Sequence, residues 1–211
     1  MPSSSTSEPQ TSQQDPDAVT RIGGWLFRKR TSIPLPIVVA LVVIPSPAGE
    51  TSGWSVWAGL ALVICGELIR LWGVLYIGSV SRTRSERLGP LIDRGPFAMV
   101  RNPLYIGNVL LWLGFTISAR LLWLAPLVFL LLMAEYHAIV RWEERLLESR
   151  IGRSYRNYLQ RVPRWIPNLA GRSASGHDTT FSWRQTLYSE RGTLVAIAAG
   201  YLLLWLKSRA A

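Results

Sequence analysis

Apolar residues gather into five runs, separated by polar, basic or proline-rich segments. The runs are Ile33–Ile44, Trp54–Val80, Leu104–Ser118, Leu121–Val140 and Leu194–Leu206. A helix needs about 20 apolar residues to cross a hydrocarbon layer roughly 30 Å thick. Trp54–Val80 meets that length with room to spare, and Leu121–Val140 matches it. Leu104–Ser118 is parted from the fourth run by little more than Ala119–Arg120, so these two predict a tight helical hairpin. Ile33–Ile44 is shorter, and Pro34, Pro36, Pro45 and Pro47 blur its ends. Leu194–Leu206, at about 1.5 Å per residue, is too short to cross comfortably. It reads as a half-buried or interfacial helix. The pattern therefore predicts an all-α, polytopic membrane fold with about four to five transmembrane or membrane-embedded helices.

The segments between the runs alternate in basic content. Arg21, Arg28, Lys29 and Arg30 precede the first run, and Gly49–Gly53 after it carries no basic residue. Arg82, Arg84, Arg87, Arg94 and Arg101 lie between the second and third runs, and Arg120 alone marks the next turn. Arg145, Arg150, Arg153, Arg156, Arg161 and Arg164 follow the fourth. Short loops rich in Lys and Arg stay on the cytoplasmic side. The expectation is a cytoplasmic N-terminus, four spans and a cytoplasmic 141–192 region.

Composition agrees. Of 211 residues, 49% are apolar and 17% charged, against roughly 25% charged in a soluble domain. Ten Trp suit aromatic belts at the two interfaces. The net charge of +10 raises nucleic acid as a partner, but the basic residues fall between apolar runs. Anionic lipid headgroups fit that placement better, so no nucleic-acid partner is expected. The single Cys65 lies inside an apolar run and permits neither a disulfide framework nor a cysteine metal cluster. No metal is expected. Residues 1–20 are polar and rich in Ser, Gln and Pro, the composition of a disordered tail. The organisation expected is a tail over 1–20, a membrane domain over 21–168 and an extension with a short apolar helix over 169–211.

Ionisable residues inside apolar runs are expensive and should face the bundle interior. Glu67 and Arg70, three residues apart, form either a structural ion pair or the lining of a polar pocket. Glu135 and His137 come late in the fourth run. His137, Arg141 and Glu144, spaced i, i+4, i+7, share one helix face, with Glu143 slightly to the side.

Two blocks carry the chemistry: Gly95-Pro96-Phe97-Ala98-Met99-Val100-Arg101-Asn102-Pro103-Leu104-Tyr105-Ile106-Gly107, and Glu143-Glu144 continuing through Tyr155 and Tyr158 to Val162-Pro163-Arg164-Trp165-Ile166-Pro167. Gly95-Pro96 signals a turn. Asn102 is a good N-cap, with Pro103 at the first helical position. The helix start presents free N–H groups suited to a carboxylate or phosphate, and Arg101 adds a forked donor. Glu143 and Glu144 can accept from hydroxyls or an ammonium. A ligand carrying both a carboxylate and an ammonium would be well served, although the same parts could simply fix a loop to a helix end.

The two blocks together resemble the isoprenylcysteine carboxyl methyltransferase family, whose broader group includes membrane phospholipid N-methyltransferases. The likeness covers roughly residues 54–168. It implies a helical membrane enzyme with a cytoplasmic pocket for S-adenosylmethionine. It further implies that Arg101, Asn102, Pro103, Tyr105 and Gly107 form one wall, and His137, Glu143 and Glu144 the other. Arg141 matches an arginine placed near the acceptor, and Glu144 and His137 are the candidate bases should an amine be methylated. Tyr155, Tyr158, Pro163 and Arg164 match a C-terminal signature that closes the pocket. Many members carry His where this chain has Asn102. The expected reaction is methyl transfer to a membrane-associated lipidic acceptor, most like a prenylcysteine-type carboxylate. A phospholipid amine or small thiol is the alternative, and a non-catalytic membrane protein on the same scaffold is a third reading.

Overall fold

The computed structural model describes residues 18–30, 32–46, 53–78, 91–169 and 181–210. These contain α1 (Ala18–Lys29), α2 (Leu35–Val43), α3 (Trp54–Ile77), α4 (Pro103–Ser118), α5 (Ala125–Ile151), α6 (Arg153–Arg161) and α7 (Trp183–Ala210). Short 3₁₀ turns at Gly95–Ala98 and Leu122–Leu124 lead into α4 and α5. No strand occurs among the described residues. Residues 1–17, Arg82, Arg84, Arg87 and the stretch 170–180 lie outside them.

Helices α3 and α4 make the most extensive contact in the bundle, and glycine is the reason. Gly59 and Gly66, one heptad apart on α3, meet Gly114 and Gly107 on α4. A Cβ at Gly66 would lie 2.7 Å from the Gly107 carbonyl oxygen, and one at Gly107 would lie 2.6 Å from Arg70 Cγ. Small residues let membrane helices approach to backbone contact, where van der Waals packing replaces the missing hydrophobic drive. Helices α4 and α5 form the expected hairpin. Its turn is set by Arg120 with a left-handed φ of 62° and by Leu121 N–H donating to Thr116 O at 3.1 Å.

Three features depart from what the sequence suggested. First, the Ile33–Ile44 run forms the single short helix α2, but a separate helix precedes it. The chain breaks at Ser32–Pro34, and α2 covers only nine residues. Before it stands α1, amphipathic and packed along α5, with Gly23 against Ala138 and Phe27 against Trp142. Ser46 Oγ then donates to Ala119 O at 3.0 Å, which ties the segment after α2 to the turn between α4 and α5. Pro34 and Pro36 impose the break, because neither can donate a helical hydrogen bond. Second, α1 begins at Ala18, inside the segment assigned to the tail. Third, the fifth run belongs to a helix of 28 residues. Its first three turns, Trp183–Thr193, are polar and hide the helix from an apolar scan. At about 1.5 Å per residue it is long enough to cross a bilayer.

Helix α7 runs antiparallel to α3. Phe181 N–H donates to Leu75 O at 3.1 Å at one end. Ser118 Oγ meets Tyr201 Oη at 3.1 Å, and Lys207 Nζ reaches Leu41 O at 2.7 Å, near the other. Helices α3, α5 and α7 are each long and apolar enough to span a membrane, with α4 a shorter apolar helix. The protein is an all-helical integral membrane protein. Its core gathers Phe27, Ile37, Leu41, Val109, Leu121, Leu124, Val128, Leu132, Tyr136 and Ile139 between α1, α2, α4 and α5.

Candidate functional site

The 3₁₀ turn ahead of α4 is seated on α3. Gly95 has a φ of 55°, and a Cβ there would lie 2.5 Å from the Tyr76 ring. The position therefore requires glycine twice over, for conformation and for space. The chain then enters α4 through Asn102. Asn102 occupies the N-cap position with Pro103 following, as the sequence predicts, but its side chain does not cap. Its Nδ2 donates instead to Arg164 O at 3.1 Å. The first N–H groups of α4 are left without a side-chain acceptor.

Arg101 spends its whole guanidinium on the returning chain. Nε donates to Val162 O at 2.5 Å, one terminal nitrogen to Leu159 O at 2.7 Å, and the other to Glu144 Oε1 at 2.8 Å. Arg164 approaches Glu144 from the other side, with bonds of 3.1 Å to Oε1 and 2.6 Å to Oε2. This bond raises the already high pKa of Arg164. Glu144 is buried and serves as the counterion of two arginines. Removing one member of such a cluster leaves an uncompensated charge, at a cost of about 3–5 kcal/mol. Two backbone bonds complete the seam: Arg101 N–H to Pro163 O and Asn168 N–H to Met99 O, both 2.9 Å. Beneath it, Tyr158 Oη donates to Phe97 O at 2.8 Å. Burial pushes the Tyr158 and Tyr155 phenols well above their ordinary range.

Glu143 faces differently. Its Oε1 accepts from Tyr105 Oη at 3.0 Å. The Tyr105 ring stacks on Tyr136 at 4.8 Å. Arg30, held over the Phe27 ring, lies within electrostatic reach of both Glu143 and Tyr105. Trp165 packs on the same apolar cluster as Tyr105 and Tyr136, and its buried indole N–H has no hydrogen-bond partner among the described residues. Together these gather polar groups where α4, α5 and the 162–168 segment meet.

The structure thus brings together Arg101, Asn102, Pro103, Tyr105, Glu143 and Glu144. His137 and Arg141 are half-buried on α5, and His137 makes no hydrogen bond or ion pair among the described residues. Gly107, expected in the pocket wall, instead meets Gly66 and Arg70 across the α3–α4 contact, because its missing side chain is what admits α3. Tyr136, Trp165 and Arg30 went unassigned from sequence. Tyr136 stands seven residues before Glu143, two helical turns along one face, and that spacing was the available signal.

A second polar cluster lies deeper. Arg70 pairs with Glu67 at 3.4 Å and with Glu190 of α7 at 2.5 Å. It also bonds Asn108 of α4 and, at 3.2 Å, Thr193 Oγ1. The Glu67–Arg70 pair is therefore one part of a network joining α3, α4 and α7.

Comparison with known proteins places the chain in a family. Residues 54–154 match the phospholipid methyltransferase family. The nickel-cobalt-cadmium resistance protein NccN of Alcaligenes xylosoxydans xylosoxydans is 30% identical over 160 residues, covering 72% of this chain and 71% of that one. The cobalt-zinc-cadmium resistance protein CzcN of Cupriavidus metallidurans is 27% identical over 157 residues, covering 71% of this chain and 65% of that one. Protein-S-isoprenylcysteine O-methyltransferase B of Arabidopsis thaliana is 28% identical over 129 residues, covering 57% of this chain and 64% of that one. The chain belongs to the family of membrane methyltransferases that unites the phospholipid and isoprenylcysteine enzymes.

Proposed function

We propose that the protein transfers a methyl group from S-adenosylmethionine to a lipidic acceptor, most like a prenylcysteine-type carboxylate, at the notch between α4 and α5. The observation that carries this reading is the division of labour between adjacent carboxylates. Glu144 is locked by Arg101 and Arg164, while Glu143 is offered to the notch with only the Tyr105 hydroxyl on it.

The residues present fit the cofactor. The buried Trp165 indole N–H would supply a donor to the nucleoside part of the cofactor. Glu143 can accept from an ammonium or ribose hydroxyls, and the uncapped start of α4 suits a carboxylate. S-adenosylmethionine, when bound, supplies an electrophilic methyl group on a sulfonium.

Among the chain's own groups, Tyr105 fixes the Glu143 carboxylate through its hydroxyl, and Tyr136 fixes Tyr105 by stacking. The Glu144 clamp holds the 162–168 segment beside the start of α4. Such alignment can supply about 7–11 kcal/mol of the barrier. A carboxylate acceptor needs no base. An amine would need one, and half-buried His137, with its ring nitrogens uncommitted, is better suited than Glu144. The acceptor enters laterally between helices and the soluble cofactor from the cytoplasm, with the N-terminus on that same side. The isoprenylcysteine name of the Arabidopsis relative favours a carboxylate over the phospholipid amine or small thiol.

Calorimetric titration of the detergent-purified protein with S-adenosylmethionine and with its demethylated product tests the cofactor assignment. Micromolar binding, weakened about tenfold in Tyr105→Phe by loss of one hydrogen bond to a charged group, is expected. Absence of binding in a folded sample would count against it.

A further inference from the structure

Helix α5 turns Trp142, Arg145, Leu146 and Ser149 away from the Glu144 clamp and toward α1. There they meet Thr20, Arg21, Gly24 and Arg28 around an open cavity of about 410 Å³. Three guanidiniums from two helices line it, and among the described residues no carboxylate does. The nearby Glu148 is directed to Arg156 at 3.6 Å. The Ser149 hydroxyl is committed to Leu146 O at 2.9 Å, so the Arg21 and Arg28 guanidiniums are the donors on the α1 side of the cavity. A Cβ at Gly24 would lie 2.8 Å from Trp142 Nε1, so the indole forms a close floor that only glycine admits.

The cavity sits where α5 leaves the bilayer. Its apolar stretch ends near Val140, and Arg141, Glu143, Glu144 and Arg145 follow. Arg21 and Arg28, seven residues apart, stand on one flank of α1. Ile22 and Trp25, each 53% exposed, turn outward from the bundle. An amphipathic helix with basic residues beside exposed Trp and Ile lies at the headgroup level, its apolar side in the acyl boundary.

We propose that this α1–α5 cavity binds the phosphate of an anionic glycerophospholipid headgroup. Guanidinium forks match phosphate oxygens bidentately. A free phosphate offers the same oxygens. The lipid is favoured because Ile22 and Trp25 provide apolar surface next to the arginines for its acyl chains. The site lies apart from the notch on the far flank of α5, so it does not depend on the methyl-transfer reading. Its consequence is to hold α1 on α5 and so keep Arg30 near Glu143.

The test is native mass spectrometry of the detergent-purified full chain with phosphatidylglycerol or phosphatidylcholine, in wild type and in the Arg21→Gln/Arg28→Gln double variant. The wild type should retain phosphatidylglycerol preferentially. The double variant should lose about tenfold or more of that retention, two surface charges being removed, while its phosphatidylcholine adducts and melting temperature stay unchanged. If the double variant does not fold, Arg145→Gln asks the same question from α5. Equal retention of the two lipids by the wild type, or undiminished phosphatidylglycerol on the folded variant, would overturn the proposal. Millimolar inorganic phosphate that leaves the lipid adduct in place supports a lipid site. Phosphate that displaces it completely would reassign the cavity to a soluble anion and overturn it.

Discussion

Two arginine–glutamate clusters stand in this bundle, and they are built from the same chemistry for different ends. In one, Arg101 and Arg164 share Glu144 and tie the start of α4 to the chain returning after α6. In the other, Arg70 gathers Glu67, Asn108, Glu190 and Thr193, and ties α3 and α4 to α7. The first cluster spends its charges on segments beside the notch, next to a carboxylate that remains offered to a ligand. The second spends them between helix flanks. A buried ion pair is therefore no guide to a site by itself. What separates the two is their neighbours: beside the first stand the Glu143 carboxylate, held by the Tyr105 hydroxyl, and the Trp165 indole, whereas the second lies within the contact of α3, α4 and α7.

Mutation can break this contrast, and the largest effect is expected at Glu144. Glu144→Gln leaves two arginines short of a counterion, so the 162–168 segment should loosen. Methyl transfer should then fall by about a hundredfold or more, the equivalent of at least ~2.7 kcal/mol. A steady-state assay on folded protein measures it, and a rate within a few fold of wild type would show that the clamp does not support the notch. Arg70→Met comes next, with the opposite signature. It strands Glu190 and Glu67 and should cost about 3–5 kcal/mol of stability. The rate per folded molecule should stay nearly unchanged. A thermal melt alongside the same assay separates the two quantities.

Gly107→Ala should destabilise by about 1–3 kcal/mol through overpacking, because its Cβ would collide with Arg70 and Gly66. Cofactor affinity of the folded fraction should not change, whereas a pocket-wall residue would alter it. The smallest effect is alkaline. Tyr158 has a folded-state pKa raised by burial. Its contribution is fully present below the ordinary phenol value near ~10 and is lost as pH rises toward the folded value. Tyr158→Phe should flatten that alkaline decline in melting temperature, and an unchanged slope would remove the phenol from the account.

The helices were legible where lipid burial demands an unbroken apolar surface, as in α3, α4 and the hairpin into α5. Legibility failed where polarity and helicity part company. The first turns of α7 carry Arg184, Gln185, Glu190 and Arg191, and Glu190 is polar because Arg70 awaits it, a partner some 120 residues away. Helix α1 looked like a basic loop because Gly23 and Gly24 interrupt its apolar face, yet those glycines are what let it lie on α5. At the candidate site, the structure brings residues of the two motif blocks together. The blocks did not separate Glu143 from Glu144, since adjacent positions on a helix point about 100° apart and only the packing decides which side meets Arg101. Gly107 was legible as part of a motif, but its reason lies in helix contact.

The central claim is that the notch beside Glu143 directs methyl transfer to a membrane lipid. The most direct measurement is transfer of a labelled methyl group from S-adenosylmethionine by the purified protein reconstituted in vesicles carrying a prenylcysteine-type carboxylate, comparing wild type with Glu143→Gln. Label in the lipid fraction, released by mild base as a carboxyl ester should be and diminished about tenfold or more in the variant, is the predicted result. Label transfer that Glu143→Gln leaves untouched, or no transfer to any lipid by protein that binds the cofactor, would contradict it.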